Sequence, residues 1–215
     1  MNFDFDHVGR QDAKKRRLFR LGLWMIELAA VIILAFVIVH FGLQKIKIHG
    51  DSMSPTLVEN DSIIVNRLNY KFSAPKRGDV IVFKQSGQEH SYYNVKRIVA
   101  LPGETIEIKD GLIYINGKEY KEQIEVEAIT NSGIAQTPYK LEDTEYFVLG
   151  DNRKQSIDSR FQSFGTVVEK DIIGKAWIRT NPFKFVSSLN IKPKAKETEA
   201  PAATPSASPS PSQKN

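Results

Sequence analysis

Between residues 21 and 43 the chain is apolar at almost every position, with Glu27 and His40 as the interruptions. Beyond that run the pattern breaks into short apolar or alternating stretches separated by turn residues. At a rise of 1.5 Å per residue, a continuous run of this length makes a helix of about 35 Å, enough to cross a hydrocarbon core of about 30 Å. The alternative is a cleaved secretory signal. The run is too long for one, and Leu43-Gln44-Lys45-Ile46-Lys47 lacks a small-x-small site, so we expect it to stay attached as an anchor.

The later stretches read as strands. Residues 45–49 alternate, placing Ile46 and Ile48 on one face, and 62–65, 80–83, 92–100, 105–108, 112–115, 146–149 and 172–178 are further candidates. Asp110-Gly111 predicts a tight hairpin between two of them, because both residues tolerate the positive φ of a primed turn, and Asn116-Gly117 predicts the next turn. No stretch here carries a helical period. The expected fold is mainly β and antiparallel, a twisted barrel or packed sheets, behind one N-terminal transmembrane helix. From Pro193 the chain turns to Pro, Ala, Ser and Lys and cannot bury enough apolar surface to offset ordering entropy. The predicted organisation is a basic N-terminus (1–20), an anchor (21–43), a β domain of about 150 residues (44–192) and a disordered tail (193–215).

The formal net charge of +5 on 215 residues changes this picture little. Lys14, Lys15, Arg16, Arg17 and Arg20 crowd ahead of the apolar run, and only Lys45 and Lys47 closely follow it. That is a topology signal rather than a nucleic-acid stripe: the N-terminus stays in the cytoplasm and everything after Leu43 lies outside. The partner implied is a lipid bilayer. Glu27 is costly in lipid unless it snorkels or pairs. Cysteine is absent, which removes disulfides, a thiol nucleophile and thiolate metal sites, and makes the fold indifferent to redox compartment.

Candidate chemistry starts at Ser52, in Gly50-Asp51-Ser52-Met53-Ser54-Pro55, a few residues beyond the anchor. A reactive group held there reaches substrates that are themselves embedded or anchored. A serine hydroxyl needs a base to take its proton. Of the histidines, His7 falls on the cytoplasmic side, His40 in the membrane, His49 on an extended segment and His90 in a polar turn; no G-x-S-x-G elbow is completed. The other base on offer is Lys96, set between Val95 and Arg97-Ile98-Val99, where desolvation can lower an amine pKa. By themselves, Ser52 also reads as a turn serine and Lys96 as an edge-strand lysine.

Four segments taken in order decide between these readings. Gly50-Asp51-Ser52-Met53-Ser54-Pro55-Thr56-Leu57, Arg77-Gly78-Asp79-Val80-Ile81-Val82-Phe83, Val95-Lys96-Arg97-Ile98-Val99-Ala100-Leu101-Pro102-Gly103-Glu104 and Gly150-Asp151-Asn152-Arg153-Lys154-Gln155-Ser156-Ile157-Asp158-Ser159-Arg160 resemble the boxes of bacterial type I signal peptidase, in its single-anchor, Gram-positive-like form. The resemblance covers residues 46–182. It implies a signal-peptidase-like β domain, related to that of repressor-type Ser/Lys proteases, and a membrane-bound serine endopeptidase that removes signal peptides from exported proteins. In it Ser52 is the nucleophile and Lys96 the general base. Ser156 orients the lysine, Asp151 with Arg97 and Asp158 with Arg160 are supporting ion pairs, and Ile48, Met53, Leu57 and Val95 match pocket-lining positions that select small residues one and three positions before the cut. No metal or cofactor is implied, and the enzyme is expected to act as a monomer near the protein export channel.

Two positions depart from the family pattern. Some members carry a hydroxyl residue, an oxyanion donor, where this chain has Gly50, and Lys154 stands where an acidic residue is common. Two other readings remain. A self-cleaving repressor-type protease would carry a DNA-binding module in place of the anchor, and a catalytically silent accessory protein would have lost a dyad residue.

Overall fold

The computed structural model describes residues 6–84 and 92–189. The predicted tail and His90 lie outside the described residues, and His7 lies among those whose side chains are not described. Helix α1 spans Asp6–Gly42, starting well before the apolar run, because the Lys and Arg residues ahead of the run are themselves good helix formers. Its segment Arg16–Gly42 has a mean hydropathy of 2.6 over its most apolar window, and none of that window is buried against the rest of the chain. A helix apolar all round and packed against nothing is suited to lipid.

The helix ends where the sheet begins. Gly42 is the last residue of α1 and Leu43 the first of β1 (Leu43–Lys47). The backbone N–H of Arg67 donates to the Gly42 carbonyl at 2.8 Å, satisfying one of the acceptors a helix leaves open at its C-terminus. No linker separates the membrane-grade helix from the β domain.

The remaining elements are β2 (Ser62–Asn66), a single helical turn α2 (Asn69–Phe72), β3 (Val80–Phe83), β4 (Asn94–Ala100), β5 (Thr105–Lys109), β6 (Leu112–Ile115), β7 (Lys118–Tyr120), β8 (Tyr139–Lys140), β9 (Glu145–Leu149), β10 (Val167–Val168), β11 (Ile172–Thr180) and β12 (Phe183–Phe185). The larger sheet runs β1-β2-β11-β3-β4-β9-β10, with β12 also on β11, and the smaller runs β7-β6-β5-β8. Every pairing is antiparallel. The two predicted turns form with both residues at positive φ, Asp110 at 52° and Gly111 at 77°, then Asn116 at 51° and Gly117 at 76°.

Strand β3 is buried on both faces, and its continuous Val-Ile-Val-Phe run follows from that. Val80 and Val82 join a core with Ile46, Met53 and Val95, while Ile81 and Phe83 face another with Ile98 and Val148. A third core packs β4 and β9 against the smaller sheet through Val99, Phe147, Leu149, Ile106 and Ile113. In the β3–β4 ladder Lys96 sits opposite Ile81 and Arg97 opposite Val80. Side chains alternate along a strand, so Lys96 shares its face with Ile81 and Ile98.

Candidate active site

Beyond β1 the chain stays paired for one more residue: the Ile48 N–H donates to Asp61 at 2.8 Å, and Ile48 accepts from Asn60 at 3.0 Å. It then reverses at Gly50, whose φ of +79° favours glycine. Residues 51–57 coil through consecutive turns, with Ser54 N–H bonded to Asp51 O at 3.0 Å and Leu57 N–H to Met53 O at 2.9 Å. Met53 and Leu57 sink fully into the core and pin this turn, leaving Ser52 half-buried.

Ser52 and Lys96 line one cleft of about 420 Å³. Its walls come from His49, Gly50 and Asp51 before the serine, from Tyr92 and Asn94 at the entrance to β4, and from Gln155 and Ile157 in the 150–160 loop. Lys96 is only 5% exposed. Burial pushes its pKa down to about 8; Asp158 and Asp151 pull it upward, and Arg160 adds to the lowering. An amine at that value is partly neutral near physiological pH and able to accept a proton.

The same burial carries a cost in stability. The folded chain holds Lys96 below its ordinary pKa of 10.5, so between about pH 8 and that value the unfolded chain binds the extra proton. In that window Lys96 alone makes stability rise with pH. Lys96→Met is therefore expected to raise the melting temperature by several degrees at pH 7, with the gain shrinking toward pH 10. Thermal melts of both forms across this range check it.

The 150–160 loop fastens the Ser52 turn to β4. Asn152 donates from its backbone N–H to Ser52 O at 3.1 Å and from its side chain to Asp51 O at 3.1 Å. Asp151 accepts from Arg97 Nε at 2.8 Å and Nη2 at 2.6 Å, and from the Thr56 hydroxyl. Arg97 also donates to Gly78 O at 2.9 Å. One buried carboxylate thus joins the serine turn to the residue next to Lys96. Asp158 accepts from Arg160 at 2.7 and 2.9 Å and from the Gly150 N–H at 3.0 Å. Ser156 is 2% exposed, and its hydroxyl has no hydrogen-bond partner.

Gly150 is where these segments touch. A Cβ built there would lie 2.2 Å from Ser156 Oγ and 2.4 Å from Ser52 O. Gly150→Ala must push the Ser52 turn away from the loop; a misplacement of 1 Å can cost about 10²-fold in rate. We expect kcat to fall by that order, as steady-state kinetics of folded variant would register.

The family model described as signal peptidase, peptidase S26, matches residues 21–180, from inside α1 to the end of β11. The chain belongs to this signal peptidase family. Signal peptidase I P of Bacillus subtilis subsp. natto is 37% identical over 176 residues, 79% of this chain and 90% of that protein. Signal peptidase I of Bacillus licheniformis is 33% identical across 80% of this chain and 94% of that protein. A probable signal peptidase I-2 of Synechocystis is 30% identical across 93% of this chain and 96% of that protein. A crystal structure of a signal peptidase I from Enterococcus faecalis V583 matches 48% of this chain and 97% of its own, at 31% identity and a TM-score of 0.39. Membership makes the chain a serine peptidase of signal-peptide processing, and its apolar helix fits a membrane-anchored one.

Other residues of this signal peptidase can now be placed. Ile48, Met53, Leu57 and Val95 lie together in one core, at 9% exposure or less, and none of them lines the cleft that holds Ser52 and Lys96. His49 is exposed on the cleft wall, and His40 stacks on Phe36 within α1. Lys154 makes an exposed pair with Glu127 at 3.0 Å. Three contributors stand in the quoted motif segments without a role assigned to them from sequence: Thr56, whose partner is 95 residues away; Gly150; and Arg153, buried between Gly150 O at 2.9 Å and Glu122 at 2.6 Å. Among the described residues no group of three or more histidine and acidic side chains is placed to hold a metal ion.

Proposed function

We propose that the enzyme cuts signal peptides after small-x-small sites of the Ala-x-Ala kind, with Ser52 as nucleophile and Lys96 as general base. The observation that carries this reading is a buried lysine with a pKa lowered to about 8, sharing one cleft with a half-buried serine. Neutral Lys96 takes the Ser52 proton as Oγ attacks the scissile carbonyl carbon. The oxyanion that forms is met by the Ser52 backbone N–H, and since Gly50 has no hydroxyl, backbone or water supplies the second donor. Lys96 then passes its proton to the leaving amine as the C–N bond breaks. Water, deprotonated by Lys96, attacks the ester and releases the signal peptide. Ser156 has a buried hydroxyl with an unused lone pair, suited to accept a hydrogen bond from Lys96 and fix its direction. Asp151 with Arg97 and Asp158 with Arg160 hold the parts in register.

The substrate lies extended between the segment before Ser52 and the start of β4, where main-chain bonds give affinity. Ile48, Met53, Leu57 and Val95 match the family's pocket positions, and in this reading the core they form limits the pockets to small side chains. In this reading residues 21–43 anchor the enzyme with its N-terminus in the cytoplasm, and 44–192 form an extracytoplasmic catalytic domain working as a monomer near the export channel. The direct junction of α1 with β1 supports a site held close to the bilayer.

The pH profile tests the role of Lys96. Protonation blocks the base, so kcat/KM should rise with pH along a limb of apparent pKa near 8 and then level off. A profile with no limb near 8 would remove Lys96 as the base.

A further inference from the structure

Strand β4 is paired unevenly along its two edges. On one edge β3 accompanies it from Asn94 to Arg97. On the other, β9 pairs only with the stretch from Arg97 to Ala100, and its chain ends at Leu149 and turns away. Among the described residues no strand covers that second edge at 94–96, and Asn94 and Lys96 of this stretch line the cleft with Ser52. This open edge is where an extended substrate adds as a further strand.

The two segments that flank such a strand present their faces alike. Ile48 and Val95 point into one core, whereas their neighbours His49, Asn94 and Lys96 line the cleft. Side chains alternate along a strand, and those opposite one another across a ladder share a face. In the signal peptidase reading the small residues one and three positions before the cut turn toward the side of Ile48 and Val95. The residue between them then turns into the cleft.

The cleft offers that residue apolar surface. Ile157 is 62% exposed, although Ser156 and Asp158 on either side of it are 2% and 0% exposed. Its side chain lines the cleft and takes no part in the buried polar packing of its own loop. Tyr92 is 84% exposed, two residues before Asn94 on the same face, and lines the cleft as well. Isolated apolar residues are ordinary on a protein surface. Two that share a cleft with the proposed nucleophile and base give a bound side chain area to bury.

We propose that Ile157 and Tyr92 form a subsite for the substrate side chain two positions before the cut, and that this subsite favours a large apolar side chain over a polar one of the same shape. The inference rests on the signal peptidase reading above and deepens it: the middle residue of small-x-small is selected too.

The test uses two precursors that differ only in Leu or Asn at the middle of an Ala-x-Ala site, side chains with the same branching. Both are mixed and cut in competition by the full chain in detergent, so that the product ratio reports relative kcat/KM whatever fraction of the enzyme is active. Wild type should favour the Leu precursor by about fivefold, less than a closed apolar pocket achieves because the cleft is open on one side. The preference should persist at about 1 M salt, since no charge creates it. Ile157→Ser and Tyr92→Ser should each narrow the ratio to about twofold, and the double variant should bring it near one. Tyr92 lies outside the 150–160 loop, so its variant reads the subsite without altering the residues around Ser156 and Asp158. Slower cutting of both precursors with the ratio kept would leave these side chains a structural role only and overturn the inference, as would a wild-type ratio near one. Failure to cut either precursor removes the proposed activity and the inference together.

Discussion

Lys96→Arg is expected to lower turnover by about 10³-fold or more, with the β domain still folded. The guanidinium stays protonated at every pH the protein tolerates and cannot accept the serine proton. Lys96, by contrast, is brought to about 8 by burial. Position 96 lies in the interior strand β4 opposite Ile81, in a ladder held by backbone hydrogen bonds that the substitution does not remove. Lys96→Met should be equally inactive although more stable at neutral pH. Loss of activity with a gain in stability separates a catalytic role from a structural one. Single-turnover cleavage together with a melting curve for each variant reads both. Activity within tenfold of wild type in the arginine variant would remove Lys96 as the base.

The second large effect is expected at Asp151. Its carboxylate is fully buried and takes both Arg97 bonds, and Arg97 itself is 6% exposed. Asp151→Ala leaves that guanidinium buried without its counter-charge, a change that typically costs about 3–5 kcal/mol. It also removes the acceptor of the Thr56 hydroxyl and so frees the Ser52 turn from β4. Urea unfolding of the full chain should show a midpoint lowered by the corresponding amount, and the folded fraction should turn over more slowly. Thr56→Val should cost less, about 1.5–3 kcal/mol, because it removes one hydrogen bond to a charged group and strands no charge. Equal stability of wild type and Asp151→Ala would show that the buried pair does not brace the site.

Where local chemistry decides structure, the sequence was sufficient. The Val80–Phe83 and Leu112–Ile115 strands occupy their expected residues, and Asp110-Gly111 and Asn116-Gly117 turn as their positive-φ tolerance requires. Strands β7, β8, β10 and β12, at two or three residues each, were not anticipated, since pieces that short are made by the neighbours they pair with rather than by a period of their own. The apolar run falls within the membrane-grade segment except for Leu43, which opens β1, and it did not show the extent of the helix, because hydropathy is blind to the helical preference of the basic residues ahead of it. At the site, Ser52 and Lys96 could be nominated by the chemistry of their types. The Asp151–Arg97 and Asp158–Arg160 pairs came with the family resemblance alone, and the Thr56–Asp151 bond and the crowding at Gly150 did not come at all, because they depend on segments far apart in the chain meeting in the fold.

The central claim is tested most directly by incubating a secretory precursor bearing one Ala-x-Ala site with wild type, Ser52→Ala and Lys96→Met in lipid or detergent, and mapping the products by mass. The account predicts a single cut after the second Ala by wild type and none by either variant. Cleavage at that site by Ser52→Ala or Lys96→Met, or a wild-type protein that is folded and inert, would contradict it.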